Sequence, residues 1–525
     1  MKIVKRLVSA SIAFILVFVV FIGCTNNENF VDESDNNTRY ANHGSDDSNG
    51  EINNNPTIEN NYQPYITIRG EQHSTELTML FLDWMGLTDE EIIPLRYMTN
   101  LTTLKLTGNL ISDLSPLANL NNLVDLDINS NQVSDLSPLT NLSNLSSLNI
   151  SGNQISDISA LSSMANLITL RMSSSRVYDI SPLAELTGLK ILDLSNSLYL
   201  ADLTLLANIT DLFMLDISHN PHIEDITPLA SLTNLYSLNI VAAQLRDVTP
   251  LAGLVNLRML DISHNQISDI TPIASLSNLI TLSMVYNPIS DIKPLANLNE
   301  LRTLSIAENN ISDITALESL TNLVELHIGN NQATDLMPIT NLTNLERLIL
   351  ADNPASSLAP LANLVNLRAL SIIDIPITDI SPLENLTNLQ ELSLIRTPLS
   401  DISPLSGLSD LEWLSITENQ IYDLTPLTGL TNLFMLNAWD NQISDITPLT
   451  GLNLLHSLSI YNNQISDVSP LASMPNLTVI VMSNNQITDI SALDSLNSWI
   501  HLDLHDNPVS DWSPVAHMEF VFGRP

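Results

Sequence analysis

Leucine and isoleucine return at fixed places along most of this chain. From Leu101 onward the residues follow the pattern L-x-x-L-x-L-x-x-N-x-I-x-D-I-x-P-L-x-x-L-x-N, with a period of 22 residues. Within L-x-L the apolar residues alternate with polar ones, as they do in a strand that buries one face. The pattern predicts one short strand in each repeat, followed by a turn and a return segment.

Each repeat also carries one aspartate ahead of the return segment. The aspartates run from Asp113 to Asp511, and Ser357 fills the single gap, so the chain holds nineteen repeats. Two consecutive steps after Asp179 are 23 residues long and contain one inserted residue each. A fixed period of this length indicates one stacked array rather than several separate domains.

A single repeat of this kind cannot bury its apolar side alone. Stacked repeats would pair their strands into one long parallel sheet and share a continuous core. Because the strand side is narrower than the return side, the array is expected to curve, with the sheet on its concave face. The pattern therefore predicts an α/β solenoid with short 3₁₀ or irregular turns on the convex face.

The recurring aspartate has a structural interpretation. Asp467 lies three residues before Pro470, and proline suits the first turn of a short helix. A carboxylate just ahead of such a turn can accept hydrogen bonds from free backbone N–H groups. We therefore predict one cap per repeat, while a ladder of calcium sites and simple solvation of the surface stay open as alternatives.

The recurring asparagine is predicted to satisfy buried backbone groups where the chain leaves the strand. Its side chain has two donors and one acceptor, which stacked turns can share. The column is interrupted at five places, where we expect a weaker ladder: Ser175, Ser197, Ala243, Ile375 and Thr397.

The charge of the chain limits its partners. Asp and Glu number 57 against 18 Lys and Arg, which gives a formal net charge of −39. Binding to nucleic acid needs a surplus of Lys and Arg on the binding surface, so we predict no nucleic-acid partner. The same balance disfavours broad contact with an anionic membrane surface.

The first residues have the layout of an export signal. A basic start is followed by an apolar run to Ile22, which predicts a signal peptide over 1–23. The residues Phe21-Ile22-Gly23-Cys24 resemble a bacterial lipobox, which implies lipidation of Cys24 and a membrane anchor on the extracellular face. An uncleaved signal anchor is the alternative. Residues 24–65 are rich in Asn, Asp and Ser and are predicted to form a disordered tether.

The repeat with its Asp and Pro resembles the internalin repeats of bacterial surface proteins. This resemblance implies a leucine-rich repeat horseshoe, a place on the cell surface, a protein partner and a role in adhesion. We assign residues 66–100 to an N-terminal cap with a degenerate first repeat, whose strand holds Leu80 and Leu82. Residues 101–514 form the solenoid of about nineteen repeats, and 515–525 a C-terminal cap. The last core layer would be covered by Trp512, Val515, Met518 and Phe520.

Apolar residues gather on the predicted concave face in the later repeats. An exposed group of aromatic and apolar side chains suggests a binding surface. The candidate partner-binding residues are Trp413, Met435, Trp439, Tyr461, Ile373, Ile395, Val481 and Asp440, with the two tryptophans and the tyrosine as anchors. Packing between strands, without any ligand, is the alternative reading.

Two features that could suggest chemistry are weak. His501, Asp503 and His505 alternate on one strand, and such a trio could hold zinc or copper, but we expect no bound metal. No nucleophile elbow or glycine-rich phosphate loop occurs in the sequence. We therefore predict a monomeric binding protein without catalytic activity or cofactor. Binding to glycan or cell wall, and a structural surface-layer role, remain as alternatives.

Overall fold

The computed structural model describes residues 64–524. Two antiparallel strands open this part of the chain, β1 (Tyr65–Ile68) and β2 (Glu71–Ser74). The predictions for the signal peptide, for Cys24 and for most of the tether lie outside the described residues. Within these residues no helix is long and apolar enough to cross a membrane.

The degenerate first repeat has the predicted strand and helix. Strand β3 (Met79–Phe81) contains Leu80, which is buried, as is Leu82 just beyond it. Helix α1 (Asp89–Ile92) follows, and Thr88 and Glu91 form a capping box at its start. The backbone N–H of Thr88 donates to Glu91 Oε2 at 2.9 Å. The box satisfies backbone donors that a helix of one turn cannot satisfy itself.

The remaining strands follow one per repeat. They are β4 (Thr103–Lys105), β5 (Asp125–Asp127), β6 (Ser147–Asn149), β7 (Thr169–Arg171), β8 (Ile191–Asp193), β9 (Met214–Asp216), β10 (Ser237–Asn239), β11 (Met259–Asp261), β12 (Thr281–Ser283), β13 (Thr303–Ser305), β14 (Glu325–His327), β15 (Arg347–Ala351), β16 (Ala369–Ile373), β17 (Glu391–Ile395), β18 (Trp413–Ser415), β19 (Met435–Asn437), β20 (Ser457–Ser459), β21 (Val479–Val481), β22 (His501–Asp503) and β23 (Phe520–Phe522). Each pairs in parallel with its neighbours in sequence, from β3 to β23. The result is the predicted single parallel sheet.

Short 3₁₀ helices form the return side of the repeats. They span Ile93–Tyr97, Ser115–Leu117, Ser137–Leu139, Ser159–Ser163, Ser181–Leu183, Thr204–Asn208, Thr227–Ser231, Thr249–Gly253, Thr271–Ser275, Lys293–Asn297, Thr315–Ser319, Met337–Ile339, Ala359–Leu361, Ser381–Leu383, Ser403–Gly407, Thr425–Leu427, Thr447–Leu449, Ser469–Ser473, Ser491–Ser495 and Ser513–Val515. In most of them proline occupies one of the first positions, where its missing N–H has no cost.

The core consists of apolar columns that run through the stack. In one coil, Leu104, Leu106, Ile111, Leu117 and Leu120 all have no exposed surface. The same places hold Leu, Ile, Val or Met in most other coils, with Ala333, Ala355 and Ala438 as exceptions, and nearly all of them are buried. Each coil therefore rests on the next through apolar contacts that no coil could make alone.

The asparagine column forms the predicted ladder. Asn131 Oδ1 accepts the backbone N–H of Ile111 in the preceding coil at 3.0 Å. Its Nδ2 donates to the carbonyl of Leu106 in that coil at 2.9 Å and to that of Ile128 in its own coil at 3.0 Å. One buried side chain thus satisfies backbone groups of two successive turns, which removes a penalty of about 1–3 kcal/mol for each unpaired group.

The ladder changes where the column departs from asparagine. The hydroxyls of Ser175 and Ser197 form a hydrogen bond of 2.9 Å, where other coils have hydrogen bonds from the asparagine side chain. In the next coil Asn220 Oδ1 is buried and accepts no hydrogen bond from the part of the chain that the structure describes. The N–H of Leu200, inside the longer repeats, donates to the carbonyl of Ser197 instead. The inserted residue in this longer repeat therefore removes the hydrogen bond that the asparagine oxygen accepts from the preceding coil elsewhere in the ladder.

The aspartate column caps the return segments, as predicted. Asp467 Oδ1 accepts the N–H of Ser469 at 2.8 Å. In each repeat from Asp113 to Asp511, the capping side chain accepts a hydrogen bond from the backbone N–H of the residue two positions later. At the exception, Ser357 Oγ accepts the N–H of Ala359 at 3.2 Å. The carboxylates recur because each return segment needs an acceptor for a free backbone N–H.

The C-terminal prediction is right in part. Val515 and Met518 are buried, and Trp512 packs partly buried against the core. Phe520 is wrong as a covering residue, because 42% of it is exposed. It opens β23, which extends the sheet by one more strand, so its side chain points away from the core while Val521 packs against the core.

Candidate partner-binding site on the concave face

The concave face is the side of the sheet that points away from the core. It consists of the first and third residues of each three-residue strand and of the residues just after the strand whose side chains point to the same side, such as Trp439 after Asn437. The intervening leucine points inward, as Leu436 does between Met435 and Asn437. Strand alternation therefore places all eight candidate residues on or beside this face.

Trp439 and Tyr461 form the closest aromatic contact among the candidates. Their ring centroids are 5.1 Å apart and the ring planes differ by 8°. They occupy the same place in successive coils, just after β19 and β20. Both are half-buried, because each ring covers part of the other. Stacking of this kind is worth about 0.5–1.5 kcal/mol beyond burial and holds both rings in one orientation.

Trp413 and Met435 form a second apolar pair. They are direct neighbours in the β18–β19 pairing, and 48% of Trp413 is exposed. The polar residues Ser415 and Asn437 follow on these strands and separate this pair from the Trp439–Tyr461 pair. The later repeats thus present two apolar pairs with a polar strip between them, whereas the sequence suggested one patch.

Ile373 and Ile395 form a third pair at the ends of β16 and β17. Both are half-buried. In the next coil this place holds Thr417, which is buried and lies between Ile395 and Trp439. The isoleucines therefore lie apart from the aromatic stack.

Val481 and Asp440 lie at different edges of the aromatic stack. Val481 ends β21 and pairs with Ser459 and Asp503. Asp440 has a φ of 53° and follows Trp439 directly. Its Oδ1 accepts a hydrogen bond from Asn462 Nδ2 at 2.6 Å. Asp440 therefore presents a polar edge beside the stacked rings.

One arginine organises the charges next to these residues. Arg396 Nε donates to Asp374 Oδ1 at 2.6 Å, and its Nη1 donates to Glu418 Oε1 at 3.0 Å. These bonds raise the pKa of Arg396 above its ordinary value, those to Asp374 most of all, so it stays charged. Burial, followed by the charges of Asp440 and Glu418, raises the pKa of Tyr461 to about 12. Its hydroxyl is protonated at physiological pH, as that of an unperturbed tyrosine is, and can donate to a partner.

Two residues of the histidine trio contact each other, and the third has a different neighbour. His505 Nδ1 contacts Asp503 Oδ1 at 2.6 Å. His501 instead packs against Phe522, with ring centroids 4.7 Å apart. No group of three His, Cys, Asp or Glu residues within 64–524 is arranged to hold a metal ion. The alternation of the strand was read correctly, but the rings turn to different neighbours.

The middle of the concave face was missed by the sequence reading. His264 stacks on Tyr286 with centroids 4.6 Å apart. Beneath them Asp261 is held by Ser263, and burial raises the pKa of Asp261. Comparison of this position across the repeats would have shown His264 and Tyr286 as large residues where many other repeats have Gly, Ser, Asn or Asp.

The chain matches a family of repeats and several solved structures. The family model described as leucine-rich repeats in two copies matches residues 121–163, 255–297, 299–342, 431–473 and 475–517. An internalin (inlF) from Listeria monocytogenes is 34% identical over 62% of this chain and 90% of that one, with a TM-score of 0.51. No curated protein matches the chain.

More distant structures share the fold alone. A leucine-rich repeat protein of Leptospira interrogans is 24% identical over 71% of this chain and 93% of that one, with a TM-score of 0.58. The Arabidopsis receptor kinase HAESA, solved with a peptide hormone and a co-receptor, is 20% identical over 82% and 78%, with a TM-score of 0.53. The predicted leucine-rich repeat horseshoe is thus confirmed.

The internalin relative and the repeat matches agree with the stacked coils described above. The chain belongs to the internalin-like family of leucine-rich repeat proteins.

Proposed function

We propose that this protein is an exported, lipid-anchored bacterial surface protein that binds a protein partner through its concave face. It acts as an adhesion or interaction scaffold. The observation that carries the proposal is the stacked pair Trp439 and Tyr461, half-exposed beside the apolar pair Trp413 and Met435. Large aromatic residues on a sheet face are the kind of residue that dominates protein interfaces.

The two apolar pairs suit an interface with two contact points. The polar strip of Ser415 and Asn437 between them offers hydrogen bonds to a backbone or to polar side chains of the partner. The Tyr461 hydroxyl, which is protonated at physiological pH, can donate a hydrogen bond to the partner. Pre-stacked rings lose little side-chain freedom on binding, which favours affinity.

Export rests on the first residues of the sequence. The basic start, the apolar run and Cys24 support signal cleavage and lipidation, and residues 24–65 supply a tether. A diacylglyceryl group and a further acyl chain would give stable attachment to the bilayer. The similarity of this chain to an internalin also supports the proposal that it lies outside the cell.

The binding experiment uses variants of the three aromatic anchors. Trp413→Ala, Trp439→Ala and Tyr461→Ala are assayed together against a protein array of extracellular domains and against a glycan array. The control is Tyr178→Ala with Tyr422→Ala, which removes two exposed aromatics that precede capping aspartates and lie off the concave face. Protein binders lost by the first set and kept by the control support the proposal.

A glycan or wall ligand is the second candidate. Asp440, with its Asn462 contact beside two stacked rings, is an arrangement that also suits sugar hydroxyls. Binding to glycans alone, lost in the same variants, would replace the protein partner by a carbohydrate. Absence of binders on both arrays would favour a structural surface-layer role.

The anchor is tested by Cys24→Ser. We expect the native chain to incorporate a labelled fatty acid and to sediment with membranes, and the variant to incorporate none. A variant that is labelled as strongly as the native chain would remove Cys24 as the lipidation site.

A further inference from the structure

A second surface with a different chemistry lies at the edge of the concave face, in the middle repeats. It is formed by the residue just before each strand, and six successive coils place Lys190, Phe213, Tyr236, Arg258, Ile280 and Arg302 there. We call these six residues the pre-strand column. Cations and bulky apolar residues make up the whole column, although the chain has three times as many acids as bases.

Backbone hydrogen bonds fix the neighbours within the column. The N–H of Phe213 donates to the carbonyl of Lys190 at 2.8 Å, and that of Tyr236 donates to the carbonyl of Phe213 at 2.8 Å. The same bond recurs from Arg258 to Tyr236 at 2.9 Å and onward to Arg302. The side chains therefore emerge one after another at the strand spacing of about 4.8 Å.

Within residues 64–524, no carboxylate pairs with Arg258 or Arg302. Lys190 has only a long contact of 3.9 Å to Asp211, with both side chains more than half exposed. Arg396 on the concave face is instead held by two carboxylates. Arg302 is exposed and Arg258 is half-buried, so both side chains reach the surface, where they can pair with an external anion.

The apolar residues of the column are arranged for contact through their edges. Phe213 and Tyr236 stack with centroids 4.8 Å apart and an interplanar angle of 18°, so each ring covers one face of the other. Ile280 lies between Arg258 and Arg302. The ring edges and the aliphatic side chain of Ile280 suit the apolar side chains of a peptide, whereas an anionic polysaccharide has few apolar groups to place between its charges. The arrangement therefore favours a polypeptide ligand over an anionic polysaccharide.

We propose that the pre-strand column binds an extended polypeptide segment of a partner protein, with acidic residues opposite the three cations and apolar residues between them. An extended chain rises about 3.3 Å per residue, against about 4.8 Å for each coil. Lys190 and Arg258 are three coils apart, which matches about four residues of ligand. Lys190 and Arg302 are five coils apart, about 24 Å, which matches about seven to eight residues. Alternate residues of an extended chain point to the same side, so acidic residues at positions i, i+4 and i+8 would face all three cations.

This site goes beyond the proposed function, because it shares no residue with the aromatic pairs at Trp413 and Trp439. Loss of one site leaves the other intact. The two proposals can therefore fail separately, and the Trp413, Trp439 and Tyr461 variants serve as a control here.

The test measures fluorescence anisotropy of labelled synthetic peptides with the purified full-length chain. One peptide of 12 residues carries Glu at i, i+4 and i+8 with Leu and Phe between. A second has Lys in place of Glu, and a third keeps the composition with the three Glu adjacent. The variant is Arg258→Gln with Arg302→Gln. Its matched control is Arg176→Gln with Arg246→Gln, which removes two exposed arginines outside the column.

We expect the spaced acidic peptide to bind and the Lys peptide not to bind. The adjacent-Glu peptide should bind at least threefold more weakly. Arg258→Gln with Arg302→Gln should weaken binding at least tenfold, and the matched control by less than twofold. Unchanged thermal melts of both variants establish that the fold is retained.

Three outcomes overturn the proposal. Equal binding of the Lys peptide removes charge as the cause. Equal binding by the two arginine variants removes the column as the site. Binding of heparin, lost in Arg258→Gln with Arg302→Gln while no acidic peptide binds, assigns the column to an anionic polysaccharide instead.

Discussion

The side chain of Asn309 accepts a hydrogen bond from the backbone N–H of Ile289, which belongs to the preceding coil, at 3.1 Å. Its Nδ2 donates to the carbonyls of Met284, Ile306 and Ala307 at 2.9 to 3.0 Å. One buried amide thus joins two coils through the backbone. Stability between neighbouring coils therefore depends on a polar group as well as on leucine packing.

We predict that Asn309→Ala weakens the contact between these coils by about 2 kcal/mol, because it leaves several buried backbone groups unpaired. Amide hydrogen exchange of Ile289 should then speed up by roughly 30-fold. Asn220→Ala is the matched control and should cost less, since Asn220 Oδ1 accepts no hydrogen bond within residues 64–524 that the substitution would remove. Equal effects at both positions would contradict this account of the ladder.

We predict that the protein loses stability in acid below about pH 4. Hydrogen bonds from Ser or Thr side chains and backbone N–H groups lower the pKa of many capping aspartates below its ordinary value, as in Asp202, Asp247 and Asp423. A carboxyl with a lowered pKa in the folded state stabilises that state above its unfolded pKa of about 3.9. This stabilisation is lost as the pH falls through the folded pKa.

The measurement is the thermal unfolding midpoint between pH 7 and pH 2 at constant ionic strength. Asp225→Asn, Asp247→Asn and Asp269→Asn together keep an acceptor oxygen but remove three titrating groups, so the fall in acid should be smaller. Buried Asp216 has a raised pKa and acts in the opposite sense, since protonation on acidification favours its folded form. A midpoint that rises steadily to pH 2 would show that such buried groups dominate.

We predict that Ser357→Asp stabilises its repeat by about 0.5–1 kcal/mol. Ser357 Oγ lies 3.2 Å from the N–H of Ala359, whereas the aspartate oxygen at Asp379 lies 2.8 Å from its donor. A carboxylate makes the stronger acceptor. The denaturation midpoint in urea reports the change, with Ser357→Ala as the opposite control. Destabilisation by Ser357→Asp even in high salt would exclude this explanation.

We predict that sodium chloride raises the thermal midpoint. Capping carboxylates in successive coils repel one another: hydrogen bonds from Thr249 lower the pKa of Asp247, and the charges of Asp269 and Asp225 on either side partly oppose this lowering. Salt screens such exposed charges over about 10 Å at 0.1 M. Calcium chloride at equal ionic strength should give a similar gain. A much larger gain with calcium would indicate specific ion binding along the aspartate column.

The repeat period determined most of the architecture without a structure. Each residue belongs to one column because every coil has nearly the same length, so Leu104 could be assigned to the core and Asp467 to a cap from spacing alone. The same logic placed Trp439 and Tyr461 on one face in neighbouring coils. Such inferences succeed because stacking in register makes contacts between coils as regular as those along the chain.

Only the tertiary structure decided which side chains in a column meet. It showed that Trp439 stacks on Tyr461, that Trp413 lies apart beyond a polar strip, and that Phe520 is exposed. Among residues 64–524 it also showed no carboxylate partner for Arg258, whereas two carboxylates hold Arg396. The period assigns residues to columns, whereas side-chain rotamers and charge pairing depend on what the adjacent coils place beside them.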